Sequence, residues 1–140
     1  MKVLIIEDDS IQAARLESLI QSKFSAVSVD RIATELEFRK RLPGIADGSY
    51  KVALVDMMLR WTDPSPEMEP PDEDVIKEGF FIGGLRCRKA LLQKNVPSII
   101  FTVLNQENLP QEYQDQGIDF IQKGPSCEPI LEKLKGYLSC

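Results

Sequence analysis

The chain has 140 residues, 43% of them hydrophobic, with 17 Lys and Arg against 22 Asp and Glu and no histidine. That length fits one compact domain with its own core, 1–140, and leaves no room for a second of ordinary size. No run of 18 apolar residues is present to cross a membrane. The first apolar stretch turns acidic at Glu7, too soon for a secretory signal, so a cytoplasmic location is expected.

Cys87, Cys127 and Cys140 are odd in number, form no C-x-x-C pair and have no histidine to join them. A zinc site of the usual kind is excluded, and reduced, structurally incidental thiols are expected. The net charge of −5 is concentrated: residues 62–75 hold six acids, four prolines and no Lys or Arg, leaving 16 acids against 17 basic residues elsewhere. No basic surface for nucleic acid is indicated.

Short apolar runs alternate with stretches of helical period, the pattern of a parallel α/β sheet. Val3-Leu4-Ile5-Ile6 reads as a first strand covered on both faces. Ser10 is the expected cap of a helix whose stripe is Ile11, Ala14, Leu16, Leu19, Ile20 and Phe24. Residues 26–29 form a short edge strand. Thr34 starts a second helix with Leu36, Phe38 and Leu42, stopped by Pro43-Gly44. Val52-Ala53-Leu54-Val55 is the third strand and ends at Asp56.

The acidic, proline-rich residues 62–75 read as a loop insertion, a solvated spacer by composition; a cover over the neighbouring site or a contact for a basic partner is the sharper alternative. A helix is expected from about Lys77 to Gln93, weakened early by Gly83-Gly84. Pro97 to Thr102 is the fourth strand. Residues 107–116 read as a poor helix with Leu109 and Tyr113 as its strong apolar positions. Ile118 to Ile121 is the fifth strand, and a last helix runs from about Ser126 to Leu138. The alternation predicts a doubly wound, five-stranded parallel sheet with helices on both faces, its ligand site beyond the carboxyl ends of the strands.

Those ends supply Glu7, Asp8 and Asp9 from the first strand, Asp56 from the third, Thr102 from the fourth and Lys123 after the fifth. Carboxylates brought together repel and call for a cation. Mg²⁺, which prefers oxygen ligands and keeps several waters, suits such a set. An aspartate can act as a nucleophile and form an acyl phosphate, while a lysine and a hydroxyl hold the phosphoryl oxygens. The alternative is that the acids are solvated loop caps.

Four segments carry a resemblance to a known family: Lys2 to Asp9, Val52 to Leu59, Ile99 to Thr102 and Gly117 to Lys123. In their order and spacing the chain resembles the CheY-like receiver domains of response regulators, the phospho-acceptors of two-component and phosphorelay signalling. The resemblance implies a flavodoxin-like sheet of order 2-1-3-4-5. It implies Mg²⁺ held by Glu7, Asp8, Asp56 and the backbone carbonyl of Met58. Asp56 would accept phosphate from a histidine kinase or histidine phosphotransfer protein, and Thr102 and Lys123 would contact the phosphoryl group. Thr102 and Phe120 would form the switch, a plain core role for Phe120 being the alternative. Such a domain is no enzyme beyond slow autodephosphorylation, slow here because Met58 and Leu104 cannot orient a water. Its output would be read by a downstream protein on the face of the 107–116 helix, the fifth strand and the last helix, or across a homodimer, without direct contact to nucleic acid or membrane.

The chain departs from the family pattern at Val103, usually small; at Gly124, which separates Lys123 from Pro125 and would move any cis bond to Gly124-Pro125; and in the long connection from Met57 to Lys77. A phosphorylation-independent pseudo-receiver is the alternative within the fold. An aspartyl phosphatase is the alternative outside it, disfavoured because Met58 stands where such an enzyme needs a second aspartate.

Overall fold

The computed structural model describes residues 1–63, 66–103, 111 and 117–138. Among these, the chain runs β1 (Lys2–Ile6), α1 (Ser10–Lys23), β2 (Ser28–Ile32), α2 (Glu35–Arg41), β3 (Val52–Asp56), α3 (Glu73–Glu78), α4 (Gly83–Leu92), β4 (Ser98–Thr102), β5 (Asp119–Gln122) and α5 (Glu128–Leu138). The five strands form one parallel sheet in the order β2-β1-β3-β4-β5, as expected. The helix read over 107–116 lies outside the described residues apart from Gln111. No helix among the described residues is long and apolar enough to cross a membrane.

The interiors of the central strands are apolar because both sheet faces are covered. Leu4 and Ile6 point to one face with Phe38, Leu85 and Leu91; Val3 and Ile5 point to the other with Ala13, Leu16, Ile20 and Leu134. This two-residue alternation gives the sheet two separate cores.

Local starts differ from the sequence reading in three places. Asp9, rather than Ser10, caps α1: its carboxylate accepts the amides of Ile11 and Gln12 at 3.0 and 3.1 Å. The buried stripe is therefore Ala13, Leu16 and Ile20, while Ile11 is 82% exposed and Ala14 faces water. β2 begins two residues late, since Val27 turns into the core and pairing with β1 starts at Ser28. Asp30 in this edge strand accepts the Tyr50 hydroxyl at 2.7 Å.

The third difference is the acidic segment. The helix expected from Lys77 is two helices, α3 and α4, joined by a 3₁₀ turn at Phe80–Ile82. α3 starts inside the stretch read as a loop, and the described part of that stretch folds back on α2 instead of standing free in solvent. Arg39 donates to Asp72 at 2.8 Å and to both oxygens of Asp74 at 2.9 and 2.6 Å. Lys40 pairs with Glu69 at 2.7 Å, and the buried Trp61 indole donates to the Glu69 carbonyl at 3.1 Å. Within this acidic strap, residues 66–78, Val75 is fully buried. Basic side chains on the last turn of α2 thus neutralise acids that composition alone assigns to water.

Candidate functional site

Sheet register assembles the site. Ile6 pairs with Val55, so Glu7 and Asp56 lie side by side one step further along. Asp56 pairs with Phe101, which puts Thr102 one step beyond it; Thr102 pairs with Gln122, which puts Lys123 one step beyond that. Four strand ends therefore deliver their polar residues to one rim, and the backbone amide of Lys123 closes the set by donating to the Thr102 carbonyl at 2.6 Å.

Glu7, Asp8 and Asp56 each present a carboxylate oxygen within 4.8 Å of the others. Glu7 is 3% and Asp56 7% exposed. Lys123 reaches across the rim: its Nζ lies 3.1 Å from Glu7 Oε2 and 3.6 Å from Asp56 Oδ2. Gln12 Oε1 accepts from the same ammonium at 3.1 Å, and the Phe101 ring centroid lies 4.7 Å away. The Met58 amide donates to Asp56 Oδ1 at 3.3 Å, and the Asp9 amide to Glu7 Oε1 at 3.2 Å. Burial pushes the Glu7 carboxyl up to about 7, reinforced by the Asp56 charge and opposed by Lys123. Burial likewise raises Asp56, with Lys123 opposing and Asp8 adding.

The donor set fits a hard divalent cation. Three carboxylates of which two are buried repel one another, and Lys123 together with the partly exposed Arg60 beside Asp8 leaves part of that charge uncompensated. An all-oxygen set of this size matches Mg²⁺, which keeps much of its water, better than Ca²⁺, which takes more protein ligands.

The structure thus brings together Glu7, Asp8, Asp56 and Lys123. Thr102 is 1% exposed on the same rim. Met58 follows Asp56 in a turn. Phe120, paired with Ile100, is half-buried against the core that also holds Ile6 and Ile100. Leu104 lies outside the described residues. No peptide bond among the described residues is cis, Gly124–Pro125 included, and β4 pairing aims the lysine.

Sequence reasoning missed three contributors. Gln12, on the first turn of α1, steers Lys123. Arg60 holds Asp8: its backbone amide donates to Asp8 Oδ2 at 2.9 Å and its Nε lies 3.4 Å from the same oxygen. Gly84 donates its amide to the Met57 carbonyl at 2.8 Å and lies so close that a Cβ there would meet the Asp56 carbonyl oxygen at 2.0 Å. The Gly83-Gly84 pair was the available signal, since a glycine at a helix start marks close backbone approach.

No protein-family model matches the chain, and no curated protein matches it. Solved structures do. A two-component response regulator from Clostridium difficile superposes with a TM-score of 0.68 at 19% identity, covering 99% of this chain and 95% of that one. Response regulator TrrA from Thermotoga maritima, solved in complex with Mg²⁺-BeF, gives 0.65 at 17% identity over 98% of both chains. A structure of histidine kinase ThkA in complex with TrrA gives 0.65 at 17% identity, covering 99% of this chain and 98% of that one. The chain has the flavodoxin-like fold of CheY-like receiver domains.

Proposed function

We propose that this chain is the phospho-acceptor receiver domain of a two-component or phosphorelay system, with Asp56 as the acceptor. The observation that carries the reading is the position of Lys123 Nζ between the buried carboxylates of Glu7 and Asp56, beside an Asp8 carboxylate within metal-binding range. A carboxylate oxygen of Asp56 attacks phosphorus, the N–P bond of a phosphohistidine on a kinase or phosphotransfer protein breaks, and the imidazole leaves with its electron pair. Lys123 exchanges its carboxylate contacts for a phosphoryl oxygen, and Thr102 supplies a hydroxyl to another. Mg²⁺, held by Glu7, Asp8, Asp56 and the Met58 carbonyl, would neutralise charge on the phosphoryl oxygens.

Nothing in this set makes a fast hydrolase. The chain has no histidine to serve as general base, and Met58 carries no group to orient a water. A long-lived acyl phosphate, dephosphorylating over minutes or longer, suits a cytoplasmic switch read by a partner protein or a second copy. In that switch Thr102 moves toward the phosphoryl group and the half-buried Phe120 follows it inward.

The phosphorylation-independent alternative draws on Val103, a branched side chain 66% exposed beside the site. Beryllofluoride with Mg²⁺ separates the two readings. Stoichiometric trapping that Asp56→Asn abolishes supports phospho-acceptance, while no trapping in the folded wild type leaves the pseudo-receiver.

A further inference from the structure

Asp8 is the most accessible of the three clustered carboxylates, and it already has a cation. Its Oδ2 receives both the backbone amide of Arg60, at 2.9 Å, and the approach of the guanidinium Nε, at 3.4 Å. The side chains are 16% and 46% exposed, so the contact is sheltered on the Asp8 side and open on the other. We propose that Arg60 is an internal stand-in for the metal at Asp8, displaced when a divalent ion binds, and that this displacement is coupled to how the acidic strap sits on α2. The inference rests on the receiver reading of the carboxylates.

Charge and connectivity support the exchange. A divalent ion at Asp8 places two positive charges beside the guanidinium on one oxygen, an arrangement that repels. Arg60 has somewhere to go: its Nη1 lies 3.3 Å from Asp63 Oδ1, a carboxylate mostly in water. The backbone carries the change onward. The Arg60 carbonyl accepts the Glu35 amide at 2.9 Å and the Trp61 carbonyl accepts the Leu36 amide at 2.8 Å. Residues 60 and 61 thereby satisfy first-turn donors of α2 that have no partner within the helix. Trp61 is in turn held under the Arg39 guanidinium, 5.5 Å from its ring, and by Glu69 of the strap. Asp8, Arg60, the start of α2 and the strap are thus one connected path. Linkage makes the coupling reciprocal: whatever strengthens the Arg60 contact weakens metal binding.

The test is Mg²⁺ titration of the full chain, read by calorimetry and by emission of Trp61, its only tryptophan, in wild type, Arg60→Ala and Arg60→Lys. Removing a partly exposed competing cation is expected to tighten Mg²⁺ binding about two- to fivefold in Arg60→Ala. Arg60→Lys stays near wild type, and the gain shrinks in about 0.5 M KCl, where a surface pair is screened; a merely structural role for Arg60 predicts neither. Equal or weaker binding by a folded Arg60→Ala overturns the inference and leaves the metal site standing. Binding in the calorimeter with unchanged Trp61 emission overturns the coupling to the strap. No Mg²⁺ binding in any of the three overturns the receiver reading together with this inference.

Discussion

Gly84 packs against the backbone of Asp56 more closely than any other residue type permits: a Cβ at position 84 would stand 2.0 Å from the Asp56 carbonyl oxygen and 2.7 Å from Met57 Cα. These neighbours are backbone atoms at a buried strand end and have nowhere to move. Gly84→Ala is therefore expected to cost roughly 2 kcal/mol or more through overpacking, despite alanine's better helix propensity. Because the clash falls on Asp56, the proposed acceptor, beryllofluoride trapping should fall with stability. Gly136→Ala, in α5 with nothing within 4 Å of the added Cβ, should raise stability by up to about 1 kcal/mol and leave trapping unchanged. Urea denaturation and trapping of the two variants, side by side, check this.

Stability of the metal-free chain should fall as pH rises through the weakly acidic range. Glu7 has a folded-state value of about 7 against an ordinary 4.5, so the native state holds its proton more tightly than the unfolded chain. The group's favourable contribution is complete below about 4.5 and is lost progressively as pH rises to about 7, a change on the order of 1–3 kcal/mol. Asp56, also raised, has the same sign. Asp74 and Asp119 are held low by Arg39 and by Lys133 with Tyr137, and their contribution disappears only as pH falls below the ordinary 3.8. Urea midpoints between pH 5 and 7.5 should decline in wild type, flatten in Glu7→Gln, and recover at the upper end with saturating Mg²⁺.

Glu35 and Arg86 form a two-point ion pair, 2.8 Å at each contact, between the first turn of α2 and α4. Their side chains are 1% and 8% exposed. Arg39 adds a third hydrogen bond to Glu35 at 3.0 Å, and Arg86 also donates to the Gly79 carbonyl at 2.8 Å. Removing Arg86 leaves the buried Glu35 carboxylate to Arg39 alone. Arg86→Met should cost about 3–5 kcal/mol, whereas Arg86→Met with Glu35→Leu should recover much of that loss, since an apolar replacement of both removes the uncompensated group. A double-mutant cycle in urea measures the difference, and additive losses would contradict it.

The sheet and the rim of carboxylates were legible because parallel strands buried on both faces leave near-continuous apolar runs, and three of them end in an acid or a threonine: Ile6 before Glu7, Val55 before Asp56, Phe101 before Thr102. Register does the rest, and register follows from apolar runs of equal length. Contacts that depend on residues far apart in sequence were not legible. Arg39 meets Asp72 and Asp74 across 33 and 35 positions, and no local pattern distinguishes those acids from solvated ones. Arg60 reaches Asp8 across 52 positions. Gly83-Gly84 was visible as the weak start of a helix, and α4 does begin at Gly83, but propensity counts the flexibility of glycine and not the backbone it allows to approach. The start of α1 was off by one because Asp9 and Ser10 are both good caps, and only the fold decides which amides face the carboxylate.

The strap gives the last prediction. Glu69, Asp72 and Asp74 of the strap pair with Lys40 and Arg39, and its one fully buried apolar anchor is Val75. Exposed ion pairs contribute little individually, but Arg39 serves Asp72, Asp74, Glu35 and the face of Trp61 together. Arg39→Ala should therefore detach residues 66–78 locally while leaving the sheet folded, a sub-global opening with its own free energy. Limited proteolysis should cut this segment faster in Arg39→Ala than in wild type. Val75→Ala, which removes two buried methyl groups, should act the same way and cost about 1–3 kcal/mol locally. Far-UV circular dichroism and Mg²⁺-dependent beryllofluoride trapping should survive both changes, because no residue of 66–78 lies among Glu7, Asp8, Asp56, Thr102 and Lys123. Loss of trapping in step with the faster cleavage would show instead that the strap holds the carboxylate rim in shape.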